Sequence, residues 1–143
     1  MPARRISPEE AKSLVDEGWQ YLDVRTEAEF AAGHPVGAHN VPYAFAGPSG
    51  MTPNPEFVAL VAALYGKDAP LVLGCKSGGR SAKAGLLLEA AGFTKLADVK
   101  SGFDGARNSF GQVVEKGWAA AGLPVETATP GGSFAELAAK AKG

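Results

Sequence analysis

Two kinds of apolar pattern alternate along the chain, short continuous runs and longer amphipathic stretches, and each change marks an element. Ser7-Pro8-Glu9-Glu10 combines a hydroxyl cap, a proline at the first helical position and an acid at the capping-box position. It predicts a helix to about Glu17 that stops at Gly18. Trp19 to Val24 reads as a strand, and Thr26-Glu27-Ala28-Glu29-Phe30 opens a second capped helix. The stretch from Gly33 to Pro42 is too rich in glycine and proline for a helix, so it reads as a turn entering a short strand near His39 to Val41. Tyr43 to Pro55 reads as a loop bordering a pocket with Phe45 and Met51, and Pro55 to Tyr65 as an amphipathic helix ended by Gly66.

Leu71-Val72-Leu73-Gly74 is a continuous apolar run, as expected of a parallel strand buried on both faces. A helix-compatible run from Ala82 to Leu88 extends to about Ala91, and Leu96 to Val99 forms another short strand. Ser101 to Asn108 is a glycine-rich junction, and Gln112 to Ala121 carries a weak helical pattern. Strands alternating with helices predict an α/β fold: a mainly parallel central sheet of about five short strands with helices on both faces. One domain is expected over 1–126, with 127–143 forming a linker and a C-terminal amphipathic helix or tail.

Composition narrows the function more by exclusion than by assertion. At 143 residues, 45% apolar and 20% charged, the chain is an ordinary globular length of one core. A formal net charge of −1 gives no reason to expect nucleic acid or an anionic membrane as a partner. The first residues lack the apolar core of a secretory signal, and one cysteine rules out an internal disulfide or resolving thiol. Both point to a reducing, cytoplasmic setting. His34 and His39 with one cysteine do not make a structural zinc site, so neither metal nor other cofactor is expected.

The chemistry concentrates in Cys75-Lys76-Ser77-Gly78-Gly79-Arg80-Ser81, where an apolar strand, a glycine-bearing loop and a helix start meet at the only thiol. Amide N–H groups at a helix N-terminus attract anions, and Lys76 and Arg80 add positive charge without any acid in the loop. A free cysteine titrates near ~8.5, and such surroundings favour the nucleophilic thiolate. Ligands of parallel sheets sit beyond the carboxyl ends of strands, where Cys75 falls. Asp23 and Arg25 read as a structural ion pair supporting that loop, His34 as a hydrogen-bonding turn residue, and Glu29 as a helix-face charge.

Three separated stretches resemble the single-domain rhodanese family of sulfurtransferases. They are Leu22-Asp23-Val24-Arg25 with Glu29-Phe30, then Gly33 to Pro42, then the loop from Cys75 to Arg80 with its Ser81. Their order and spacing match as well. The resemblance implies the family's three-layer fold and transfer of sulfane sulfur through a persulfide on Cys75. It implies a thiosulfate-like or persulfide donor held by Lys76, Ser77, Gly78, Gly79, Arg80 and Ser81, and a thiophilic acceptor such as cyanide, glutathione or thioredoxin. The chain departs from the family pattern at Ser101-Gly102, usually two glycines, at Ala106, where a tryptophan is often found, and in an insertion over 108–118.

Other classes compete with this reading. Cysteine-dependent phosphatases and arsenate reductases resemble this fold in one branch, but their loop is one residue longer than the four residues between Cys75 and Arg80. A regulatory binding module, or a sulfur carrier with little turnover of free thiosulfate, is the remaining alternative.

Overall fold

The computed structural model describes residues 4–142. The chain runs β1 (Arg4–Ile6), α1 (Pro8–Asp16), β2 (Gln20–Asp23), α2 (Glu27–Ala32), β3 (His34–Pro35), β4 (His39–Asn40), β5 (Ala44–Gly47) and β6 (Gly50–Pro53). It continues through α3 (Phe57–Tyr65), β7 (Leu71–Gly74), α4 (Gly79–Ala90), β8 (Leu96–Val99), β9 (Ala106–Arg107), β10 (Val113–Glu115), β11 (Val125–Glu126) and α5 (Phe134–Lys142). A five-stranded sheet in the order β1-β8-β7-β2-β4 forms the centre, and every neighbouring pair in it is parallel.

Local signals set the helix starts. The Ser7 and Thr26 side chains each accept from the backbone amide three residues on, while Glu10 and Glu29 bond back to the cap amides. Side chains alternate across the sheet and feed two apolar layers. Leu22, Val24, Leu71, Leu73, Cys75 and Leu96 pack with Phe57, Val61, Leu88 and Leu137, from α3, α4 and α5. Tyr21, Val72, Ala97 and Val99 pack on the opposite face with Ala11, Phe30 and Trp118. All four residues of β7 are buried, which is why its sequence runs apolar without alternation.

Three segments differ from the sequence-based expectation. The fifth sheet strand is β1, an edge strand with two exposed arginines that carries almost no apolar pattern. The 43–55 segment is not a loop but a β-hairpin, β5 against β6, turning at Gly47–Gly50, with Gly50 at φ +103°. Its prolines and its exposure, complete in β6, hide the strand period. The helical pattern over 112–121 is overturned as well: Val113–Glu115 pairs antiparallel with Ala106–Arg107. Asn108 organises that turn by accepting the Phe110 and Gln112 amides on its side-chain oxygen.

The C-terminal segment is held to the rest of the chain. The Gly132 carbonyl accepts the Asn40 amide at 2.8 Å, and Leu137 of α5 is 2% exposed within the core. No helix among the described residues is long and apolar enough to cross a membrane.

Candidate active site

Cys75 follows the last residue of β7, so the central strand aims its thiol at the carboxyl end of the sheet. Its side chain is buried at 1% exposure. The Gly78 amide donates to Cys75 Sγ at 3.1 Å, and the Ser81 hydroxyl lies 3.5 Å from the sulfur. Gly78 is the N-cap of α4 with a left-handed φ of 102°, which turns its amide toward the sulfur. A Cβ there would run into the Lys100 carbonyl.

The 101–104 junction pins the loop from outside. Phe103 and Asp104 amides donate to the Cys75 and Lys76 carbonyls at 2.7 and 2.8 Å. Gly102 lies so close that an added Cβ would be 2.5 Å from Lys76 O and 2.7 Å from Cys75 O. Glycine is thus required at 102, whereas Ser101 is accommodated in full burial. Within the loop Lys76, Ser77 and Gly79 are exposed, while Gly78 and Ser81 are buried.

Arg80 does not present a free guanidinium to the sulfur. Glu29 takes both of its ends, Nη1 to Oε1 at 2.7 Å and Nη2 to Oε2 at 3.0 Å. Glu29 is therefore a component of the site wall as well as the capping-box acid of α2, a pairing across 51 positions that helix periodicity does not reveal. Burial pushes its carboxyl up, but the Arg80 fork and the Thr26 bonds outweigh it and hold the group at about 2, against an ordinary 4.5. A depressed carboxylate stabilises the fold fully above its unfolded value and loses that contribution as pH falls through its folded value. Glu29→Gln should cost about 1–2 kcal/mol at neutral pH, the partial exposure of the pair keeping it below the full shift. The gap to wild type in urea midpoints should close between pH 4.5 and about 2. A gap that ignores pH would contradict the ion pair.

Asp23 and Arg25 form the expected structural pair. Arg25 Nη2 meets Asp23 Oδ2 at 2.7 Å and the Gly33 carbonyl at 2.6 Å, both residues being buried. The guanidinium stacks 4.5 Å from the centre of the Phe103 ring, linking the pair to the junction behind the loop. Burial works against the Arg25 charge, yet the Asp23 hydrogen bonds leave its affinity for the proton raised. His34 lies in the scaffold: Nδ1 is 2.7 Å from the Phe30 carbonyl, Nε2 is 2.9 Å from Thr129 Oγ1, and its ring stacks on Phe30 at 3.6 Å.

In front of the loop is a cavity of 630 Å³ lined by Lys76, Arg80 and Lys83 from the loop and α4 and by Tyr43, Met51 and Pro53 from the 43–55 segment. Met51 borders it, whereas Phe45 packs 6.0 Å from Phe134 of α5. Behind the loop the structure reveals two residues that the sequence reading passed over. Asp98, 2% exposed, accepts the Ser81 hydroxyl, and Arg5 Nε sits 3.1 Å from its other oxygen. An acid inside the apolar strand Leu96-Ala97-Asp98-Val99 was the available signal. No group of three or more potential ligands that could hold a metal ion occurs among the described residues.

A parallel five-stranded sheet carrying a buried cysteine, hydrogen-bonded by a backbone amide, on the loop between its central strand and the following helix is the arrangement of a rhodanese-like domain. Residues 7–109 match the family described as rhodanese-like domain, and the chain belongs to the rhodanese-like sulfurtransferase family. It is 41% identical over 121 residues, 85% of this chain and 91% of the relative, to thiosulfate sulfurtransferase 16, chloroplastic, of Arabidopsis thaliana. Rhodanese-like domain-containing protein 15, chloroplastic, from the same plant is 43% identical over 93 residues, which are 65% of this chain and 51% of that one. The crystal structure of Rv0390 from M. tuberculosis superposes with a TM-score of 0.74 at 29% identity, covering 90% of this chain and all of the other.

Proposed function

We propose that the protein is a thiosulfate sulfurtransferase that carries sulfane sulfur as a persulfide on Cys75. The observation that carries this reading is the Gly78 amide on Cys75 Sγ, in a loop whose Lys76 and Arg80 line the cavity in front of it. The Cys75 thiolate attacks the outer sulfur of thiosulfate, a new S–S bond forms, and sulfite leaves with the electron pair of the broken one. An acceptor thiolate then attacks the bound sulfur and Cys75 departs as thiolate, so the cycle needs no external oxidant or reductant. With no second cysteine the acceptor is another molecule, a thiol such as glutathione or thioredoxin, with cyanide as its assay substitute.

Lys76 and Lys83 suit an anionic donor and an anionic leaving group, while Glu29 balances the Arg80 charge. Intact mass after incubation with thiosulfate is the direct test. The wild-type chain should gain about 32 Da, one sulfur, and lose it on adding cyanide. Absence of the adduct, or its survival in Cys75→Ser, would overturn the assignment.

A further inference from the structure

A line of four side chains runs away from the sulfur into the sheet. Cys75 Sγ lies 3.5 Å from Ser81 Oγ in donor geometry, and Ser81 Oγ in turn donates to Asp98 Oδ1. Asp98 Oδ2 meets Arg5 Nε at 3.1 Å, and Arg5 Nη2 reaches back to the Gly78 carbonyl at 3.2 Å. Arg5 and Asp98 are direct partners across β1 and β8, so sheet register places them on one face. The line thus returns to the same residue whose amide bonds the sulfur.

The hydrogen-bond accounting has one direction. An ionised Asp98 only accepts and lies closer to the Ser81 hydroxyl than the alternative acceptor, the Gly78 carbonyl at 3.4 Å, so Ser81 gives its proton to Asp98 and offers a lone pair toward the thiol. We infer that Asp98, working through Ser81 and held by Arg5, receives the proton that Cys75 gives up. In this step the Cys75 S–H bond breaks and its proton passes to Ser81 Oγ, while the Ser81 proton passes to Asp98 Oδ1. The electron pair stays on sulfur, and a neutral thiol plus a carboxylate become a thiolate plus a neutral acid. The total charge of the line is unchanged. The reverse shift reprotonates Cys75 once its sulfur has been handed on.

The surroundings support one shared negative charge in preference to two. A thiolate and a carboxylate separated by one hydroxyl in a buried site repel each other, so losing one proton from the line favours keeping the other. Burial raises the Asp98 carboxyl, and its Ser81 and Arg5 bonds only partly offset that, which makes it a better proton acceptor than an exposed aspartate. Among the described residues, the charged or titratable groups facing it are Arg5 from β1, Cys75 at the end of β7 and the Tyr21 phenol from β2. Helix α4 presents Ser81, and β7 pairs Leu73 against Asp98. Asp98 is a positioning residue in that it meets the sulfur only through Ser81.

This inference rests on Cys75 being the sulfur-carrying nucleophile, but its test does not use sulfur transfer. The rate of Cys75 alkylation by iodoacetamide is measured from about pH 5 to 10 in wild type, Asp98→Asn, Ser81→Ala and the double variant. Asp98→Asn and Ser81→Ala should each slow alkylation about tenfold at neutral pH and move the midpoint about one unit alkaline. The double variant should add nothing to Ser81→Ala, because both changes cut one path. An unchanged or acid-shifted midpoint in Asp98→Asn, as removal of a merely nearby anion would give, overturns the inference. So do additive effects. If Asp98→Asn fails to fold, Ser81→Thr with a wild-type profile beside a shifted Ser81→Ala supports the path, and identical profiles refute it. A missing thiosulfate adduct together with these alkylation shifts would reject the proposed reaction and leave the proton path standing.

Discussion

Gly78→Ala should lower sulfur-transfer turnover by about 100-fold or more, the loss expected when a nucleophile is displaced by a fraction of an ångström. Three constraints meet at this residue. Its φ of 102° lies in the left-handed region, where an added side chain costs about 1–3 kcal/mol. The new Cβ would enter the Lys100 carbonyl, a backbone atom fixed by the bond between the Lys100 amide and the Ile6 carbonyl. The residue's own amide and carbonyl are engaged by Cys75 Sγ and Arg5 Nη2. Relief of the strain therefore has to move the amide away from the sulfur. Thiosulfate–cyanide turnover and urea unfolding, measured on the same preparations, separate the effects: activity should fall much further than stability. Turnover close to wild type would show that the loop does not depend on this amide. The neighbouring Gly79 has open space around its Cβ position, so Gly79→Ala should leave the urea midpoint near wild type and serves as the control for stability.

Asp23→Ala should have the largest effect on stability, about 3–5 kcal/mol, because it leaves the Arg25 guanidinium buried without its carboxylate. Arg25 is 4% exposed and anchored at the Gly33 carbonyl and the Phe103 ring, so it has no short route to solvent. The Asn40 amide group bonds the Asp23 and Arg25 carbonyls at 3.0 and 2.9 Å, which keeps their backbone rigid and limits relaxation. Denaturant unfolding measures the loss directly. Activity per folded molecule should remain within about tenfold of wild type, since the Asp23 carboxylate is spent on Arg25. A fully folded variant without activity would instead make Asp23 part of the chemistry.

Most of the domain was legible because its signals are local. Capping boxes at Ser7 and Thr26 need only neighbouring residues, and the buried strand β7 shows as an unbroken apolar run. The hairpins were not, since β5–β6 and β9–β10 are largely exposed and take their order from turns at Gly50 and Asn108 without an apolar period. The cysteine loop was visible for the same reason as the helices: its strand, glycines and helix start are consecutive. Its partners were not. Glu29 reads as a helix-face acid until α2 and α4 are brought together, and Arg5 reads as an exposed basic residue until β1 pairs with β8.

Sequence by itself determined the position of the single cysteine, the length of its loop and the α/β order that puts Cys75 at a strand's carboxyl end. Those features lie within a few residues of one another, so backbone geometry and propensity suffice to read them. Only the tertiary structure decided how the charges are shared: Arg80 belongs to Glu29, and the line behind the sulfur runs through Ser81 and Asp98 to Arg5. Charges pair by distance in space, and strand order together with the packing of α4 on β8 brings together positions 5, 81 and 98 that no local pattern connects.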